Sequence, residues 1–406
     1  MNRSLLLHGA TQTTASPNAS LPVLAKGFRP FFLLAALYAT VMVPLWLAVV
    51  NGSVAPSSYL QPSVWHAHEM TWGFVTAVVA GFLLTAVGNW TKRETATGAP
   101  LAGLALLWVA GRVAMLLSGA LPRGVPAAVD LAFLPALALV LARPLLAAKN
   151  HRNFVVVAIA AALFAANLLV HLEALTVLPW GWARRATLTS VDLIVLLILI
   201  IGGRTFPMFT RNATGVATIR NIPWLDRTCI AAMTALLLVE ALMPAAEHAS
   251  AVLAGAVGLL AVARAIHWGA RYSWRDPLLW VLHVGYAWLV LGLLLRAAAG
   301  VFGVIPGSAA THALTVGGIG TLTLGMMARV SLGHTGRMLV APGPVTAACV
   351  AITLAALARV LVPWFAPGHY AVGLFAAGVH WVLAFAVFLV AYTPILFRPR
   401  VDGRPG

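Results

Sequence analysis

Charge is what this sequence has least of, and its scarcity excludes most soluble folds. Only 9% of the 406 residues are Asp, Glu, Lys or Arg, against about 25% in a soluble domain. So few charges cannot cover a water-facing surface when 61% of the chain is hydrophobic. Carboxylates are the rarest, with 10 Asp and Glu against 26 Lys and Arg, a formal net charge of +16. On a soluble protein that excess would point to nucleic acid. Here the basic residues stand singly or in pairs between apolar runs, as they do where basic loops hold a membrane protein in place, so nucleic acid is excluded as a partner. Cysteine is almost missing too: Cys229 and Cys349 both fall in apolar segments, and no disulfide framework is indicated. Residues 1–25 are polar and irregular and lack an apolar core followed by a cleavage site, so no signal peptide is expected. No loop is long enough to hold a separate soluble domain.

What is present is a series of apolar runs, each about 20 residues long, the length that crosses the hydrocarbon core as a helix. Lipid offers the backbone no hydrogen-bond partners, so these runs must be helical. Punctuated by Pro, Gly and charge, they predict an all-α, polytopic membrane bundle of twelve transmembrane helices within a lipid bilayer, near 31–50, 65–88, 101–120, 126–147, 154–178, 187–207, 228–246, 249–268, 277–299, 309–330, 345–363 and 370–396. Residues 1–29 then form a cytoplasmic N-terminal segment, 30–397 the membrane domain and 398–406 a cytoplasmic tail. The basic residues set the orientation: twenty, among them Lys26, Lys92, Arg93, Arg204, Arg264 and Arg329, fall on the side of both termini, against six, Arg112, Arg123, Arg184, Arg185, Arg296 and Arg359, on the other. Both ends are expected inside the cell.

Ionisable side chains within such spans are costly and mark function. Near the outer face lie His66, His68 and Glu69 in span 2 and His171 and Glu173 in span 5, with Asp130, Asp192, His312 and His369 opening spans 4, 6, 10 and 12. Near the inner face lie His267, His283 and His334 with Arg204, Arg264 and Arg329. Imidazole is the commonest metal ligand and the usual axial ligand of haem. His66 and His68 are two apart, about 200° around a regular helix, so one can bind a cofactor while the other serves a second centre or is held by a carboxylate. His66, His68, His171 and His312 are the candidate metal ligands, and Glu69, Glu173 and Asp192 the candidate proton donors, Asp192 being equally a helix cap. Gly73, Gly81 and Gly88 in span 2 and Gly317, Gly318, Gly320 and Gly325 in span 10 suit a flat macrocycle or close helix packing. Arg204 and Arg329 suit the lipid interface or a haem propionate. Lone histidines at helix ends, such as His8, His151 and His248, read as solvent-facing or interfacial.

Four segments carry a resemblance over nearly the whole chain: Lys26-Gly27-Phe28-Arg29-Pro30-Phe31-Phe32; Trp65-His66-Ala67-His68-Glu69-Met70; Gly202-Gly203-Arg204-Thr205-Phe206-Pro207-Met208-Phe209-Thr210; and His312 through Ser331-Leu332-Gly333-His334-Thr335-Gly336-Arg337. With them the chain resembles the NnrS family. The resemblance implies a bacterial inner-membrane protein with haem, expected as b-type, and copper, with a role tied to nitric oxide, nitrosative stress and denitrification; a quinol or an electron-donor protein is a separate expected partner. His66, His68, Glu69, His283, His312 and His334 lie in the matching motifs and are carried over as functional. The helix count is also similar to that of haem–copper oxidases and respiratory nitric oxide reductases, which hold a low-spin haem between helices 2 and 10. Their second metal centre uses histidines of helices 6 and 7, and spans 6 and 7 here contain none, so copper would need another set, such as His68 with His171. Three functions are expected in order: a nitric oxide oxidoreductase, an electron conduit, and a metal or ion transporter or sensor.

Overall fold

The computed structural model describes residues 21–55, 57–243, 245–303 and 305–404. Arg3, His8 and most of the expected N-terminal segment lie outside the described residues. Among these residues there is no strand, and twelve long helices follow one another: α1 Phe28–Val50, α2 Pro62–Thr91, α3 Gly98–Leu116, α4 Gly124–Ala147, α5 Val155–Ala174, α6 Trp182–Thr214, α7 Pro223–Leu242, α8 Glu247–Ala265, α9 Pro277–Phe302, α10 Gly307–His334, α11 Gly343–Phe365 and α12 Tyr370–Phe397. Eleven are long and apolar enough to cross a membrane. The exception is α7, whose Asp226, Arg227 and Glu240 sit within 20 residues. Two of these charges are balanced by neighbours: Asp226 pairs with Arg264 of α8 at 2.9 Å and Glu240 with Arg296 of α9.

Helix ends follow backbone chemistry rather than the hydropathy profile. Pro at the first helical turn, where no N–H is needed, opens α2, α7 and α9 at Pro62, Pro223 and Pro277. Asp276 caps α9 by accepting from the Leu278 N–H at 2.9 Å. The span expected at 187–207 extends to 33 residues, because α6 ends only where Gly215 takes a left-handed φ of +70°.

Three helices form the centre. Over their most apolar stretch α2, α6 and α10 are 78, 83 and 83% buried, whereas α1, α3, α4, α5, α8, α11 and α12 range from 22 to 44%. Both α2 and α10 contain a wider, π-helical segment directly after a histidine, Glu69–Val75 after His68 and Ala313–Gly320 after His312. Such segments interrupt the i→i+4 ladder and often mark functional sites. Four glycines of α2 and α10 make room for neighbouring side chains. A Cβ on Gly81 would come within 2.9 Å of the Phe32 ring, on Gly317 within 2.6 Å of Trp288, on Gly320 within 2.6 Å of Trp381 and on Gly325 within 2.6 Å of Val281. Small residues let neighbouring helices approach where no hydrophobic force drives them together.

Both described chain ends meet at one end of the bundle. Arg29 of α1 donates to the carbonyls of Leu396 and Arg398, both at 2.8 Å. Of the six arginines assigned to the side away from the termini, Arg112, Arg296 and Arg359 sit inside α3, α9 and α11 and are engaged there.

Candidate functional site

At the end of the bundle away from the chain termini, α1–α5 enclose a cluster of charged and polar side chains. His68, Glu69, Arg112, Asp130, Asn167 and His171 are all buried. Arg112 bridges the two carboxylates: Nη1 donates to Glu69 Oε2 at 2.9 Å and Nη2 pairs with Asp130 Oδ1. Asn167 Nδ2 donates to Asp130 Oδ2 at 2.6 Å, which turns its Oδ1 toward His68 Nε2 at 2.9 Å. His171 Nε2 lies 2.9 Å and His68 Nε2 3.2 Å from that same Asp130 Oδ2. On their other sides His68 Nδ1 meets Glu69 Oε1 at 2.7 Å, and His171 Nδ1 meets the Tyr59 hydroxyl. The Tyr38 hydroxyl donates to Glu69 Oε2.

This geometry has a consequence for charge. Both nitrogens of His68 face only acceptors, yet a neutral imidazole carries a single N–H. A second proton or a metal ion at this point would satisfy the remaining nitrogen. The same conclusion follows from the carboxylates: Glu69 and Asp130 bring two negative charges and Arg112 one positive. An uncompensated charge at such depth is strongly unfavourable. One ligand atom from each of His68, Asp130 and His171 lies within 4.8 Å of the others, close enough to share an ion. Two imidazoles and a carboxylate suit zinc, copper, iron or nickel, and Glu69 and Tyr59 orient the rings from behind as outer partners of metal-bound histidines do.

His66 points elsewhere. Its ring stacks on Trp46 of α1 with centroids 4.4 Å apart, and it lines a cavity of about 340 Å³ with His312, Arg359, Trp46 and Trp381. His312 Nδ1 lies 2.7 Å from the Ser308 carbonyl. A carbonyl only accepts, so Nδ1 carries the proton and the Nε2 lone pair is left for a ligand. Arg359 Nη1 is buried without a hydrogen-bond partner among the described residues, which suits an anionic group. An adjoining cavity of about 670 Å³ shares His312 and is lined by Arg184, Asp192 and Arg296. Both volumes fall in the range of about 300–1,000 Å³ typical of ligand sites.

The other expected site residues are dispersed. Glu173 accepts from the Ala183 N–H at 2.7 Å and caps α6. Asp192 pairs with Arg296 at 2.8 Å. At the opposite end, His283 bonds Thr210 at 3.0 Å, Arg204 donates to Asn153 at 2.8 Å, and Arg329 lies 4.4 Å over the Phe209 ring. His334 packs against Phe28 with centroids 5.8 Å apart. Neither cavity nor the His68 cluster includes His283, His334, Arg204 or Arg329. Sequence reasoning missed Arg112, Asn167, Tyr38 and Tyr59 and did not join Asp130 to the histidines. Two signals existed: an arginine deep in an apolar span requires a carboxylate partner, and Asn167 stands four residues before His171, on the same helix face.

Two of the motifs have structural work at the termini end. Arg400 donates to the His334 carbonyl at 2.8 Å and the Val401 N–H to the Thr335 carbonyl at 3.2 Å, so the tail is docked on Ser331–Arg337. In the Gly202–Thr210 segment, a Cβ on Gly203 would collide with the Arg264 guanidinium and come within 3.0 Å of Asp226 Oδ2. Gly203→Ala is expected to cost about 1–3 kcal/mol through this overpacking, seen as a lowered Tm in detergent, while Gly103→Ala, inside α3 and in open space, leaves Tm unlowered or slightly raised.

A helical membrane protein with an imidazole-lined cavity and a buried histidine–carboxylate cluster is the class that these features define. The chain belongs to the NnrS family, whose model, described as NnrS protein, matches residues 22–400. That membership suggests a membrane protein of the nitric oxide response, in a family associated with haem and metal binding. No curated protein matches the chain.

Proposed function

We propose that this chain is a haem- and copper-carrying protein of the bacterial inner membrane, with cytoplasmic ends, that binds nitric oxide and removes it by reduction. The observation that carries the reading is the opposite facing of the two histidines of one helix: His66 lines a cavity with His312 of α10, while His68 joins His171 and Asp130. His66 and His312 would hold the haem, with Arg359 against its carboxylate edge. His68, His171 and Asp130 would hold copper. When bound, these groups supply metal centres that ligate nitric oxide and pass it electrons, and a quinol or donor protein is the source of those electrons.

The chain's own part is positional and electrostatic. Trp46 fixes the His66 ring by stacking, the Ser308 carbonyl fixes the His312 tautomer, and Glu69 and Tyr59 fix the rings of His68 and His171. Arg112 keeps Glu69 and Asp130 charged without water. Reduction of nitric oxide consumes protons as well as electrons, and Glu69 and Asp192 are the carboxylates beside the two sites.

One observation favours a second reading. His66 and His312 both line the cavity, and a haem held by both histidines would carry electrons rather than bind the gas, the arrangement of an electron conduit. Titrating the purified, haem-replete protein with nitric oxide separates the two. The first reading expects shifted absorbance bands and, with a quinol, consumption of the gas. Bands that respond to quinol but not to nitric oxide would leave the conduit.

A further inference from the structure

The larger cavity holds a carboxylate with no structural task for one of its oxygens. Asp192 is fully buried, at 0% exposure. Its Oδ1 is taken by Arg296 at 2.8 Å, and Arg296 is anchored in turn by Glu240 of α7. Asp192 Oδ2 has no hydrogen-bond donor among the described residues, the Glu240 carboxyl lies within hydrogen-bonding reach of the Asp192 carboxyl, and Asp192 lines the cavity of about 670 Å³. The exposed Arg184, Gly307 and Ser308 stand on the cavity wall. Along α6, Asp192 lies about 12 Å deeper than Arg184 at a rise of about 1.5 Å per residue. The hydroxyl-bearing Ser63, Thr187 and Thr311 and the imidazole of His312 line this cavity and the smaller one alike. A buried carboxylate oxygen beside a cavity of this size is satisfied when a small shift of the wall admits water to it.

We infer that this cavity is a water-filled vestibule through which Asp192 carries protons from the membrane surface to the His66–His312 cavity. The role rests on the proposed function for its destination, whereas the vestibule itself does not. A proton entering at the rim passes from water to water along the cavity, and the last hydronium gives it to Oδ2 and is left as water. Asp192 then releases that proton to water on the His312 side and returns to the carboxylate. Arg296, held by Glu240, keeps Oδ1 occupied throughout, so only Oδ2 cycles. The groups around Asp192 are Arg296, Glu240, Arg184 and His312, which belong to four different helices.

Thiol labelling tests the vestibule independently of any activity. The native Cys229 and Cys349 are buried, so the wild-type background is low. In the purified full-length protein, Thr187→Cys and Val191→Cys should react with a small water-soluble methanethiosulfonate, whereas Leu199→Cys, buried on the same helix and outside the cavity, should not. Cysteines at 187 and 191 as inert as that at 199 would overturn the vestibule. For the carrier role, proton uptake on chemical reduction is followed with a pH indicator. Asp192→Asn should slow it at least about tenfold, a loss of about 1.4 kcal/mol in barrier terms, with the absorbance spectrum and the labelling of Val191→Cys retained, and Asp192→Glu should restore it. Uptake at the wild-type rate in Asp192→Asn would end the carrier role. Absence of any nitric oxide reaction in the wild type would end the functional reading and leave the labelling result standing.

Discussion

Arg112→Met should destabilise the protein by about 3–5 kcal/mol, the cost of removing one partner from a buried ion pair. The side chain bridges two carboxylates and offsets one of their two charges, holding Glu69 through Nη1 at 2.9 Å and Asp130 through Nη2. Methionine fills much of the same volume, so the effect reports charge and not a void. Unfolding in detergent by heat or denaturant should show the loss directly. The cause is checked by the double variant: Arg112→Met with Glu69→Gln removes one charge of each sign and should recover part of the loss, as a coupling of about 0.5–3 kcal/mol between contacting residues. If the two changes simply add, Arg112 does not act by neutralising Glu69. A single Arg112→Met that unfolds like the wild type would mean that the cluster is solvated in the membrane and that its charges cost little.

The second large effect concerns the two histidines of α2. His68→Ala should abolish the non-haem metal while leaving the haem bands, because its ring faces His171 and Asp130. His66→Ala and His312→Ala should do the reverse, removing haem while leaving the metal of the cluster. Added imidazole should partly restore the haem in His66→Ala, since the vacated space next to Trp46 is that of the lost ring. Glu69→Gln should weaken metal retention about 10–100-fold, the usual cost of losing an outer hydrogen bond to a ligating histidine. Metal analysis and absorbance spectra on each purified variant are the measurements. Joint loss of both cofactors in every well-folded variant would mean one shared centre and would sink the two-site arrangement.

Much of this architecture was legible before any coordinates. The spans followed from the length of the apolar runs, and the divergence of His66 from His68 followed from the angle between helical positions two apart. His66 and His312 were placed at one level by counting residues from the helix starts, and the structure lines one cavity with both. The helix ends were less legible, because polar residues such as Arg184, Thr210 and Arg211 continue α6 past its apolar stretch. At the termini end Gly203 makes room for Arg264, and the loop after His334 receives the tail.

The sequence by itself determined that the chain is an all-helical membrane bundle, because too few charges remain to face water and backbone in lipid must bond to itself. It also determined that the two histidines of α2 serve different surroundings, since helix geometry is local. Only the tertiary structure decided what those surroundings are. Asp130, Arg112, Asn167 and Tyr59 reach His68 and His171 from separate helices, and the orphan oxygen of Asp192 acquires meaning from the cavity that it faces. Compensation of buried charge depends on distance in space, and sequence separation carries no information about it until the helices are packed.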